Sequence, residues 1–302
     1  MSGQLSIRWA ERSINRSMNS IMGNEESVDY VVAIDTDSIY VEMEDLVKAV
    51  NPKNPVEFID KACVQKFEPL LAEAYGDLFT HMNAHENRME MSREVIADKA
   101  VWTGKKHYIV NVHNNEGVQY AQPKVKIKGL EAVKSSTPRI VRDKFMKAYE
   151  IILRGTEDDL QKFVADFYDE FIKLPVQDVS FPRGVSDIAK WEDSVTMYKS
   201  GCPIHVRGSL VFNSMLQKHG LEDSMDVIKN GTKIKFCYLE VPNTAMSNVI
   251  AFPQFLPKEM QLESSVDYKT QFEKTFKKPL AIIADAVDWN LEKTATLEAF
   301  FE

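Results

Sequence analysis

Two aspartates one residue apart, Asp35 and Asp37, stand between β-branched runs: Tyr30-Val31-Val32-Ala33-Ile34 before them and Ile39-Tyr40-Val41 after them. Such runs around turn residues predict a β-hairpin with Asp35-Thr36-Asp37-Ser38 at its tip. Successive strand side chains alternate, so both carboxylates are expected on one side. A carboxylate pair suits a hard divalent cation such as magnesium, which takes oxygen ligands and keeps waters for substrate phosphates. Asp-Thr-Asp-Ser is also ordinary turn chemistry, and spacing alone leaves both readings open. A basic group lies downstream: Lys105-Lys106-His107-Tyr108, then Lys126 and Lys128. Between Lys99 and Lys147 eleven Lys and Arg face three acids, a local charge of +8 inside a chain of −8. That enrichment points to an anionic partner, for which phosphate is the obvious chemistry. His81 and His85, four apart on a predicted helix, have neither a third ligand nor the glutamate of a zinc-protease pattern, and read as an exposed face.

The elements that must hold these residues follow from periodicity. Ile7, Ala10, Ile14, Met18 and Ile21 recur at helical spacing over Ser6 to Met22. A second stripe, Cys63, Phe67, Leu70, Leu71, Ala74, Leu78 and Met82, predicts a long helix kinked at Pro69. Trp102 to Val112 and Val118 to Ile127 read as strands joined at Asn114-Asn115-Glu116-Gly117. Ser135-Ser136-Thr137-Pro138 predicts a helix start and Gly155 its end; another helix is expected from Thr156, burying Leu160, Phe163, Val164 and Phe167. Strands give way to helices near Gly129, the expected domain boundary, and past Phe181 the pattern is mixed. At 302 residues and 44% hydrophobic content the chain is long enough for one large domain or two ordinary ones. Without an eighteen-residue apolar run or a signal-peptide core, an intracellular protein is expected. Cys63, Cys202 and Cys237 form no Cys-x-x-Cys pair and read as buried free thiols.

Taken in order, these segments resemble blocks of family B DNA polymerases of the T-even bacteriophage type. Asp-Thr-Asp-Ser in its apolar hairpin resembles the third polymerase motif. Trp102-Thr103-Gly104-Lys105-Lys106-His107-Tyr108 resembles the Lys-Lys-Arg-Tyr strand that holds the primer end, with His107 at the arginine position. Lys126-Ile127-Lys128-Gly129-Leu130-Glu131 resembles the palm-to-thumb junction. Asp187-Ile188-Ala189-Lys190 and Cys202-Pro203-Ile204-His205-Val206-Arg207-Gly208 resemble thumb segments, and Gly3-Gln4-Leu5-Ser6-Ile7-Arg8-Trp9 the helix before the aspartate hairpin.

The resemblance implies an α+β fold, with a partial palm over 1–128 and a mostly helical thumb over 129–302. Asp37 matches the aspartate that ligates two magnesium ions and Asp35 a supporting neighbour. Lys105, Lys106 and Tyr108 would position the primer terminus, while His205 and Arg207 would meet duplex phosphates. The tail offers Leu297, Phe300 and Phe301 on one face of a helical turn and resembles a terminal sliding-clamp peptide, although Thr294 holds the usual glutamine position; docking on the protein's own core is the alternative.

The Asp-x-x-Ser-Leu-Tyr-Pro strand, the Lys-x-x-x-Asn-Ser-x-Tyr-Gly helix and any Asp-x-Glu are missing from the 302 residues, and Ala33-Ile34 replaces the usual Tyr-Gly. The chain opens with methionine just past where the nucleotide-binding helix would end. It is therefore expected to be the C-terminal subunit of a split enzyme, inactive alone. An N-terminal polymerase half, primer-template DNA, dNTP and a sliding clamp would be its partners, in the cytoplasm of an infected bacterium. The competing expectation is a non-catalytic DNA- and clamp-binding module; an unrelated magnesium-dependent phosphotransferase would explain the aspartates alone.

Overall fold

The computed structural model describes residues 2–293, an α+β chain of helices and small antiparallel sheets with no closed barrel. It forms two compact units. The first holds the described residues to Ala100, with Gly104–Lys106 and Val110–Lys126; the second holds Val101–Thr103, His107–Ile109 and the described residues from Ile127 onward. Among the described residues no helix is long and apolar enough to cross a membrane.

The first unit opens with α1 (Ser2–Met22), four residues longer at its start than the periodicity predicts. Ala10, Ile14 and Met18 are buried against Phe67, Leu71, Tyr75 and Leu78. Ile21 was expected on this stripe but lies 48% exposed in the last turn, beyond the packed face. Strands β1 (Val31–Asp35) and β2 (Ser38–Val41) form the antiparallel hairpin, with Asp35 opposite Ser38 and an irregularity between Val31 and Ala33 that leaves Val32 exposed. Ile34, Ile39 and Val41 pack against the α1 cluster, which anchors the hairpin below its tip.

Next come α2 (Glu44–Val50), α3 (Pro55–Ala62) and α4 (Glu68–His81). Between α3 and α4 the helix widens into one π-turn, Cys63–Phe67, where the Glu68 N–H reaches back to the Cys63 carbonyl. Pro69 has no N–H and its ring would strike the carbonyl four residues earlier, so the expected irregularity appears as a wider turn just upstream. Helix α4 ends at His81, whose ring stacks on Trp9 at 5.8 Å, and His85 lies past the helix rather than on it. Strands β3 (Val95–Gly104), β4 (His107–Asn115) and β5 (Val118–Lys128) lie side by side in that order. The run from Trp102 to Val112, expected as one strand, is thus broken at Lys105-Lys106, where Lys106 takes φ 61°. The next turn is Glu116-Gly117, both at positive φ, which suits the right-handed twist of a hairpin.

The second unit begins with α5 (Arg139–Arg154) and α6 (Glu157–Phe171). Thr156 accepts from the Asp159 N–H and Asp159 returns a bond to the Thr156 N–H, a capping box that starts α6 as its sequence implies. There follow α7 (Val176–Val179), β6 (Phe181–Gly184), α8 (Ile188–Trp191), the short hairpin β7 (Glu192–Asp193) and β8 (Met197–Tyr198), and α9 (Ile204–His219). Then come β9 (Lys233–Tyr238), β10 (Val249–Phe252), α10 (Tyr268–Phe272) and α11 (Lys278–Asp285). A second π-turn, Glu273–Lys277, joins α10 to α11 directly before Pro279. Phe276 sits at the centre of this helical layer, 4.8 Å from the Phe145 ring and 4.9 Å from Phe167. Such aromatic pairs contribute about 0.5–1.5 kcal/mol beyond their buried area.

Strands β6, β9 and β10 form an antiparallel sheet in the order β10-β9-β6, covered by α9. Helix and strand meet at Gly208: a Cβ there would stand 2.9 Å from the Ala251 N and 3.1 Å from the Ile250 carbonyl carbon. Both are backbone atoms that cannot swing aside. Cys237 is buried and its thiol is pushed up to about 12 by burial; Cys63 and Cys202, expected buried, are only partly so. Gly208→Ala should cost on the order of 1–3 kcal/mol, read as a lower urea midpoint with an unchanged slope.

Candidate functional site

The tip of the first hairpin is tighter than an ordinary strand reversal. Thr36, a β-branched residue, holds φ 58°, and the Asp37 N–H donates to the Asp35 carbonyl at 2.7 Å. Left-handed backbone at such a residue is a genuine outlier, and strain of this kind collects at functional turns. Asp35 is the last residue of β1, whereas Asp37 lies in the turn and is exposed. Strand alternation therefore does not set the direction of Asp37, contrary to the reasoning from sequence. The Ser38 hydroxyl donates to the Asp35 carbonyl at 3.1 Å and fixes the far side of the turn.

The β3–β4 turn reaches this tip. Lys106 Nζ stands 3.3 Å from Asp35 Oδ1 and donates to Thr36 Oγ1 at 3.3 Å, while the Thr36 hydroxyl donates to Asp35 Oδ1 at 3.2 Å. The Lys106 side chain is 60% exposed and that of Asp35 only 11%. With the ammonium largely in water and the contact at 3.3 Å, the pair contributes on the order of 1 kcal/mol and orients the carboxylate more than it stabilises the fold. Thr36 was read from sequence only as turn chemistry, yet it links the two turns, and nothing in its spacing from Lys106 signals this. Lys105 and His107 are exposed beside Lys106. Tyr108 is buried, its ring 6.0 Å from that of Trp102. Lys126 and Lys128 alternate on the exposed side of β5, with Lys126 Nζ 3.9 Å from Glu94.

No protein-family model matches the sequence. The chain is 32% identical to the DNA-directed DNA polymerase of Enterobacteria phage T4, and equally to that of Escherichia phage RB69, over 318 aligned positions covering 99% of this chain and 35% of either relative. The chain is similar, almost end to end, to part of these two phage DNA polymerases. It spans about a third of the length of the curated relatives it matches.

The polymerase-like residues downstream are held by neighbours within the second unit. Arg207 Nη2 donates to Asn248 Oδ1 at 2.7 Å, and its guanidinium lies 5.7 Å from the centre of the Tyr198 ring. Its Nε is buried with no hydrogen-bond partner. Part of the fork expected to grip phosphate is thus engaged within the chain, and neither Asn248, forty-one residues on, nor Tyr198 was foreseen as its partner. His205 is half-buried near Phe236, and its carbonyl accepts from Ser209. Leu297, Phe300 and Phe301 lie outside the described residues.

Burial lowers the His205 pKa below its ordinary value of 6.5, and the Arg183 charge lowers it further. The unfolded chain then binds the proton more readily, so the contribution of this histidine to stability is fully present above pH 6.5 and falls as the pH drops through its depressed folded value. Arg183→Ala should raise the His205 titration midpoint, read by NMR of the ring, while leaving the burial component in place.

Proposed function

We propose that this chain supplies part of the palm, over 1–128, and the thumb, over 129–302, of a phage DNA polymerase that adds dNTPs to a primer 3′-end. The observation that carries the reading is the similarity to two phage polymerases along 99% of the chain, including the Asp-Thr-Asp-Ser hairpin that Lys106 reaches. The strand with a further aspartate and the nucleotide-binding helix would come from a separate polypeptide, the N-terminal half.

Asp35 and Asp37 supply hard oxygen donors, the kind magnesium takes from one or two carboxylates while substrate phosphates and water complete its shell. Among the described residues no group of three or more metal-ligating side chains occurs, so the rest of the shell falls to the partner and the triphosphate. Asp35 and Asp37 would hold the ion, and a magnesium there would supply positive charge for the in-line displacement of pyrophosphate by a primer 3′-hydroxyl. Asp37, exposed in its turn, is the principal ligand in this reading and Asp35 the supporting one.

Lys106 neutralises Asp35 and holds it in place. Lys105 and His107, exposed beside it, meet the primer backbone, and buried Tyr108 seats that strand through packing. Lys126 and Lys128 extend the phosphate contacts along β5, and His205 and Arg207 add contacts from the thumb. The tail at Leu297, Phe300 and Phe301 would dock on a sliding clamp, and the assembly would work in the cytoplasm of an infected bacterium. Ala33-Ile34, in place of Tyr-Gly, favours a second reading as a DNA- and clamp-binding module without catalysis.

Primer extension separates the two readings. The chain mixed with its partner half should extend a primer, Asp37→Ala should abolish extension, and Asp35→Ala should weaken it less. The chain alone should extend nothing. Extension by the chain alone, or an Asp37→Ala mixture at the unaltered rate, would refute the assignment.

A further inference from the structure

Helix α1 carries three arginines at successive four-residue steps, Arg8, Arg12 and Arg16, all exposed and all on one face. With Glu11, Asn15, Asn19 and Ser27 they line an open groove of about 700 Å³. Side chains four apart on a helix are neighbours, and like charges at that spacing repel, so the ladder carries a small cost in the isolated chain. Arg8 is compensated by Glu11, 2.8 Å away. Arg12 and Arg16 form no ion pair among the described residues. The nearest further acid on the Arg8 side, Asp29, already accepts from Asn15 Nδ2 and the Val31 N–H. Asn19 is likewise spent on the 24–28 loop, bonding the Val28 backbone through both ends of its amide. The groove wall is therefore pinned, and its free donors are guanidinium groups.

We propose that this groove binds a strand of single-stranded DNA through its phosphodiester backbone. The four-residue step sets the guanidinium groups about 6 Å apart along the axis, a row suited to a run of anions rather than one. Planar guanidinium groups pair bidentately with phosphate oxygens. A single row of cations along an open groove matches one phosphate backbone, and basic grooves track a lone strand in this way. The proposal goes beyond the polymerase reading and rests on it only in preferring phosphate to carboxylate as the anion.

Fluorescence anisotropy of the full chain with labelled single-stranded and duplex DNA, across a salt series, tests it. Arg12→Ala/Arg16→Ala should weaken single-strand binding roughly tenfold at low salt and flatten the slope of log affinity against log salt by about 1.4, two contacts at ~0.7 each. Arg12→Lys/Arg16→Lys keeps both charges and should keep the slope, which separates a charge contact from a folding effect. Glu11→Gln frees Arg8 and should tighten binding. Single-strand affinity and slope unchanged in the alanine variant overturn the proposal and leave the ladder as a contact for an acidic polypeptide, and a loss confined to duplex overturns it in favour of a duplex contact. An unsubstituted chain that binds neither DNA sinks this proposal together with the polymerase reading, whereas binding that Lys105→Ala/Lys106→Ala weakens and the arginine variant does not sinks this one alone.

Discussion

A 3.3 Å contact between the Lys106 ammonium and the Asp35 carboxylate joins two tight turns separated by seventy residues of chain. Each turn holds a residue with a full side chain at positive φ, Thr36 at 58° and Lys106 at 61°. Left-handed backbone costs such residues of order 1–3 kcal/mol, and glycine would avoid that cost. Glycine would also lack the hydroxyl and the ammonium that meet across the gap. The strain is tolerated because the strands behind the turns are held: Ile34, Ile39 and Val41 pack on the α1 cluster, and Tyr108, Ile109 and Val110 in β4 are buried.

What was legible in the sequence was local. The stripe Ala10, Ile14, Met18 announces α1, Thr156 with Asp159 announces the capping box of α6, and β-branched runs announce the first hairpin, because each signal lies within one or two turns of chain. The lysine turn was hidden because Lys105-Lys106 carries neither glycine nor asparagine, and a run of strand formers continues on either side. The β10-β9-β6 sheet was hidden for a different reason. Its strands are short, and Phe181 pairs with Phe236 across a long loop of helices, so no periodicity within a window reveals the partnership.

The residue types at the hairpin tip and the lysine turn could be read from sequence, but their geometry could not: Asp35 meets Lys106, Asp37 lies in the turn and Tyr108 is buried. Arg207 illustrates the limit: its type suggests a phosphate contact, while Asn248, just before β10, and Tyr198, in β8, already hold it. Tertiary contacts of that kind follow from packing and leave no mark in spacing.

The chain solves the same problem twice in the same way, with a π-turn directly ahead of Pro69 and another ahead of Pro279. A proline within a helix removes one donor and crowds one carbonyl, and the wider turn makes room by advancing the winding by one residue. Each wider turn still closes with its own backbone bond, Glu68 N–H to the Cys63 carbonyl and Lys278 N–H to the Glu273 carbonyl, so the helical run carries on past the proline and α3–α4 and α10–α11 each form one continuous, re-phased rod.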